Sequence, residues 1–336
     1  MNRKSILVAL ATLLLAVLAY LAGRQQAPTA AEASAAAQAT AQDAAAEASP
    51  AARAKAPAGP ARPLPAPSQP LAEVVAELEQ RARAGEAAAA CRLAAEWSHC
   101  SLLPARRAEF DAWLSNRRLA LDMLPEAMRG EAATNIEREL PLRERSLRAL
   151  QEHCGDVPVP SPAEVVRMWR SAAVGGDAAA LRHYASGNGF KWATLMDALP
   201  ELAAYRAEAP GLARLAASRG DLDMAVALAS AYAPTGHRHR TLLQQSVPPD
   251  PAQGLALYRH IEAALDAGGA GSTRLAMEVS ERIATLEKSL PPDQLARAAS
   301  HGGEIASQWQ PLQLRGVEQM QASGAVRSIE RGWCGR

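Results

Sequence analysis

Apolar residues recur along most of this chain at steps of three and four, the spacing that places them on one face of an α-helix. Leu275, Val279, Ile283, Leu286 and Leu290 form such a face within Thr273 to Leu290. Leu222, Ala225, Val226, Ala229 and Tyr232 form another, and Leu257, Tyr258, Ile261 and Leu265 a third. No run alternates apolar and polar residues at period two, and the chain holds only two Phe and five Tyr, so strand formers are scarce. The pattern predicts an all-α fold over residues 71–336, built as an irregular α-solenoid or helical-hairpin array.

Glycine and proline punctuate the pattern. Pro162 and Pro251 suit a first helical turn, and Gly85, Gly176 and Gly220 suit helix C-termini. Each of these glycines is followed by an acid, Glu86, Asp177 or Asp221, which complements the dipole of a following helix. One helix thus ends and another begins within about two residues, as in an antiparallel helical hairpin. The first hairpin's second helix is expected from Glu86 to Trp97. Ala72-Glu73-Val74-Val75 and Ala163-Glu164-Val165-Val166 stand at the same distance before Gly85 and Gly176. That points to an internal duplication of residues 72–100 and 163–190. Ser186-Gly187-Asn188-Gly189 reads as a turn ending one helix before another that carries Phe190, Trp192 and Leu195.

The pattern changes completely at the N-terminus. Residues 1–5 carry Arg3 and Lys4, and an uncharged apolar run from Ile6 to Ala22 follows. The run sits at the short end of the roughly 17–25 residues that span a bilayer core, and it exceeds the roughly 7–15 of a secretory h-region. Residues 6–23 are therefore read as a transmembrane signal anchor, with a cleaved signal as the competing reading. No Cys follows the run, which excludes a lipoprotein. The positive charge ahead of it places residues 1–5 in the cytoplasm and the main domain outside, in the periplasm of a bacterium with an Ala- and Arg-rich proteome. Residues 24–70 are rich in Ala and then in Pro, with Leu64 the one large aliphatic residue in the tract, so they read as a disordered linker. Its proline half should be an extended, semi-rigid spacer.

Residues 104–153 alternate Arg and acidic residues densely, from Arg106 and Glu109 to Glu144 and Arg145. Mixed signs at helical spacing describe a pair of solvated helices inserted between the duplicated units. The formal charge of the whole chain is +1, so there is no basic stripe for nucleic acid.

The stretch Leu215-Ala216-Ala217-Ser218-Arg219-Gly220-Asp221-Leu222, continuing to Tyr232, and then Asp250-Pro251-Ala252-Gln253-Gly254-Leu255-Ala256-Leu257-Tyr258, resembles SEL-like repeats, relatives of the tetratricopeptide repeat. The resemblance spans residues 212–290. It departs from the family at Thr235-Gly236-His237-Arg238-His239-Arg240, where a Gly-rich turn would be expected, and the chain sustains no fixed repeat length. It implies a helical array used for protein contact.

Four cysteines, Cys91, Cys100, Cys154 and Cys334, in an exported chain imply two disulfides with three possible pairings. The resemblance implies a local bridge within Cys91, Cys100 and Cys154; Cys334 either pairs because the tail folds back or stays free. His99-Cys100 and His153-Cys154 offer zinc-type ligands, but neighbouring residues cannot easily face one ion and an oxidising compartment favours the disulfide. The His237/His239 pair reads as part of a solvated loop.

No nucleophile elbow, zinc-protease helix, phosphate-binding loop or dinucleotide fingerprint occurs, so no catalytic residue, cofactor or metal ligand is assigned. The resulting expectation is a non-enzymatic scaffold, tethered to the inner membrane through residues 6–23 and binding a cell-envelope protein. Trp192, Tyr205 and Trp309 are the expected partner surface. The alternative is a helical glycan-binding or glycan-processing protein, whose acid would be a buried glutamate with a second carboxylate about 5–9.5 Å away. Oligomeric state is left open.

Overall fold

The glycine–acid junctions organise the fold. A computed structural model describes residues 62–234, 240–328 and 331–335. The expected anchor at 6–23, the linker up to residue 61 and the His237/His239 pair lie outside the described residues. Within them the chain is helical and has no strand. The helices are α1 (Leu71–Arg83), α2 (Ala87–Cys100), α3 (Leu103–Met123), α4 (Glu126–Cys154), α5 (Pro162–Val174), α6 (Ala178–Ala185), α7 (Leu199–Ser218), α8 (Leu222–Tyr232), α9 (Leu242–Ser246), α10 (Pro251–Ala267), α11 (Arg274–Ser289) and α12 (Pro292–Gln308). None is long and apolar enough to cross a membrane.

Gly85, Gly176 and Gly220 all adopt positive φ, at 89°, 95° and 88°, and each makes the same pair of helix-closing bonds. The acid after the glycine donates its N–H five residues back, as in Asp177 N to Ala172 O, and the glycine donates three back, as in Gly176 N to Ala173 O. Asp177 and Asp221 then cap the next helix, accepting from Ala180 N and Met224 N. Glu86 makes no side-chain cap and instead turns back to Arg81 at 2.7 Å. The outcome is a succession of hairpins, α1/α2, α5/α6 and α7/α8, each packed on the next, with α8 passing to α10 and α10 to α11 and α12.

Periodicity placed the outer helices well. Thr273 caps α11, and Leu275, Val279 and Ile283 are buried along it. Two inner helices differ from the one-face expectation. Every residue of α8 except Asp223 is buried, and in α2 so is every residue from Ala89 to Trp97. Both helices are enclosed on all sides, and their many alanines permit close approach. Gly254 of α10 marks one close approach, where a Cβ would lie 2.7 Å from that of Ala233.

Two boundaries need correction. The expected disordered linker does not run to residue 70: Leu64 packs against the core, Arg81 donates to the carbonyls of Arg62 and Pro63, and Arg92 donates to Ala66. These contacts secure residues 62–70 although the tract has no helical face. The segment after Gly189 forms a 3-10 stretch, Trp192–Ala198, broken at Thr194, rather than an α-helix holding Phe190.

The chain returns on itself after α12. Residues 309–328 and 331–335 form a strap that donates Gln310 N to Ser218 O and Gln313 N to Gly220 O, receives Asn188 Nδ2 at Val326 O, and gives Gly335 N to Asp177 Oδ2. Cys334 then bonds to Cys91 in α2.

Gly85→Ala, whose new Cβ meets nothing within 4 Å, should lose only the backbone cost, about 1–2 kcal/mol. Gly220→Ala would bring Cβ to 2.4 Å from the Pro311 carbonyl oxygen and should lose more. Urea unfolding of the two variants measures the difference; equal losses would mean the strap is not seated on this junction.

Candidate functional site

The second half of α2 presents Arg92, Glu96 and His99 toward the end of α4 and the strap. Glu96 is fully enclosed, at 0 % exposure. Its carboxylate accepts from Arg92 Nε and His153 Nε2, both at 2.7 Å, and from Arg331 at 3.1 Å. Burial pushes the Glu96 pKa up, but the His153 hydrogen bond and the Arg92 and Arg331 charges outweigh it and hold the group below the usual carboxylate range. His99 lies beside this cluster, its ring 5.8 Å from that of His153. Burial, with Arg331 and His153 nearby, pushes its pKa down. A carboxylate held ionised by two arginines and a histidine hydrogen bond anchors structure. It is the opposite of the protonated glutamate that glycosidic acid catalysis requires.

Two disulfides flank the cluster. Cys100–Cys154 joins the end of α2 to the end of α4, and Cys91–Cys334 joins α2 to the strap. The tail therefore folds back, and the local bridge is 100–154. The Asp177 carboxylate lies within 4.8 Å of the Cys91 and Cys334 sulfurs, and burial raises its pKa although the Ala180 and Gly335 amides oppose the shift. All four sulfurs are consumed in disulfides, so the His-Cys dipeptides supply no thiolate to an ion.

The Cys100–Cys154 bond is the root of an arm formed by α3 and α4. α3 has 21 residues and buries none of them, which gives an arm of about 30 Å. α4 buries only Cys154. An open groove of about 790 Å³ runs between the two helices near the root, lined in part by Leu102, Phe110, Leu142, Leu147 and Leu150. Arg143 sits 4.5 Å from the centroid of the Trp113 ring. Beyond it, Leu119, Met123 and Met128 lie open to solvent around the turn, Met123 at 78 % exposure.

No family model, curated protein or solved structure matches the chain.

The three expected surface residues do not form one surface. Tyr205 is wholly buried, its hydroxyl donating to Ala185 O and its ring packed between Tyr184 and Phe190. It lies on the face of α7 that closes on α6, so it belongs to the core. Trp309 is half-buried against His260 and lines a shallow cleft with Arg214 and Tyr232. Trp192 is exposed at 73 % and borders a separate cavity with Lys191 and Arg240. The sequence reading missed the Glu96 cluster because Glu96 and Arg92 resemble any helical i,i+4 pair. The all-apolar surroundings in Ala87 to Trp97 were the available sign that this pair is enclosed.

Glu96→Gln leaves two arginines and a histidine without their anion and should cost about 3–5 kcal/mol at neutral pH. A carboxylate whose folded pKa is depressed stabilises the fold above the ordinary carboxylate range, and that contribution is lost as pH falls toward the folded value. The variant should accordingly show a flatter acid limb in a plot of unfolding free energy against pH. An unchanged acid limb would remove Glu96 as its source. Replacing both Cys100 and Cys154 by Ser should cost about 2–4 kcal/mol, read as a lower denaturation midpoint than in the oxidised parent.

Proposed function

We propose that this protein is a non-catalytic interaction scaffold of the bacterial envelope, anchored by residues 6–23 and presenting its helical domain in the periplasm. The arm is the observation that carries the reading. Two long helices are ordered, and clamped at their root by a disulfide, while the only residue they bury fully is Cys154, with Leu103 and Leu150 packed against the core at the root. Their ordering costs conformational entropy that core burial does not offset. An exposed apolar tip on such an arm suits a protein partner with an apolar recess. The two disulfides support an oxidising address. The succession of helical hairpins supports the SEL-like reading of residues 212–290, in which the array is a contact platform and performs no chemistry.

A photo-cross-linking amino acid placed at Met123 or Met128 in intact cells should yield one discrete adduct, while the same group at Glu281 on the core should yield none. Met123→Ser/Met128→Ser should abolish the adduct formed from a cross-linker at Leu119, with unfolding free energy unchanged to within about 0.5 kcal/mol. Equal adducts from the arm and the core, or none from the arm, would sink the proposal.

A further inference from the structure

A cavity of about 400 Å³ opens where the loop after α6, the start of α9 and the strap meet, within the range of small-molecule sites. It is lined by Lys191 and Arg240 and by no carboxylate. Neither cation forms an ion pair with an acidic residue among those described. This sets them apart from Arg81, Arg92 and Arg182, each of which is bound to an acid at 2.7 Å. Arg240 donates to the Gln244 carbonyl, while its Nε–H is buried with no acceptor among the described residues. A buried guanidinium donor left unpaired is costly, and an anion in the cavity would satisfy it.

The rest of the lining narrows the anion. Trp192 stands exposed at the edge and offers an indole face. Asn188, Thr241 and Ser328 bring amide and hydroxyl groups. The strap supplies one wall through Ala325 and Val326, fixed by the bond from Asn188 to Val326 O. An aromatic platform beside hydroxyl and amide groups suits a ring with one apolar face and a hydroxylated edge. Asn188 Nδ2 already donates to Val326 O and the Thr241 hydroxyl already accepts from Gln244 N, so what these residues still offer a ligand is the Asn188 amide oxygen and the hydroxyl protons, which a purely apolar acid would not use.

We propose that this cavity binds a carboxylate-bearing sugar, with the carboxylate held by Lys191 and Arg240 and one ring face laid on Trp192. The arrangement is a binding site, independent of the arm.

Isothermal titration of the full chain in detergent with D-glucuronate and with N-acetylmuramic acid tests it and separates a uronic acid from a cell-wall sugar as the source. At least one should bind with one-to-one stoichiometry, and D-glucose, acetate and inorganic phosphate should each bind about tenfold more weakly or worse. Lys191→Gln and Trp192→Ala should each weaken binding by about tenfold while leaving the thermal midpoint unchanged, since both side chains are exposed. Absence of binding by both acidic sugars at millimolar concentration would overturn the proposal. So would acetate or phosphate binding as tightly as the sugars, or undiminished affinity in both variants.

Discussion

Glu96 is enclosed in the protein and still ionised, which is tolerable only because two arginines and a histidine hydrogen bond, drawn from three segments, converge on it. Arg92 comes from one turn earlier in α2, His153 from the end of the arm, and Arg331 from the strap at the far end of the sequence. A buried charge with any of these partners missing would be expensive, so the arm root and the strap must be seated for α2 to be stable at the centre. The two disulfides bind the same three segments covalently. Charge cluster and disulfides thus fix a single arrangement of elements that local sequence does not connect.

Around that centre the fold is assembled by one repeated device. A left-handed glycine closes a helix and the following acid starts the next one. At two of the junctions the capping acid has a second partner, the Gly335 amide for Asp177 and Arg182 for Asp221, while Glu86, which makes no side-chain cap, bonds Arg81. The cap therefore reports both the start of a helix and its seating against a neighbour. The strap exploits this at Asp177, whose carboxylate takes one bond from its own helix and one from the tail.

The arm and the strap are opposites in energetic terms. The strap is short of regular structure but buries Leu312, Val317, Met320 and Ala322, and its main chain is taken up by side chains of the hairpins. The arm is almost wholly helical and buries nearly nothing. The arm is clamped at its root by Cys100–Cys154 and leaves most of its length open to solvent, which is the observation the proposed contact role rests on. The cavity beside Trp192 lies on the strap side of the molecule's own packing and carries its own unbalanced charge, so the two features need not serve one ligand.

The sequence alone determined helix content, the glycine–acid turns and the helix starts at Pro162 and Pro251, because these depend on local dihedral preferences and on periodicity within a few residues. It also limited the cysteines to disulfides without pairing them. Only the tertiary structure decided that Cys334 reaches Cys91, that Tyr205 is core while Trp192 is surface, that residues 62–70 belong to the folded domain, and that Glu96 is enclosed. Each of these depends on which segment lies against which, often from distant parts of the chain. An i,i+4 ion pair, a tyrosine on a helix or a proline-rich tract has the same local pattern whether it faces water or another helix. Burial and long-range charge pairing distinguish the two, and both arise only once the chain has closed on itself.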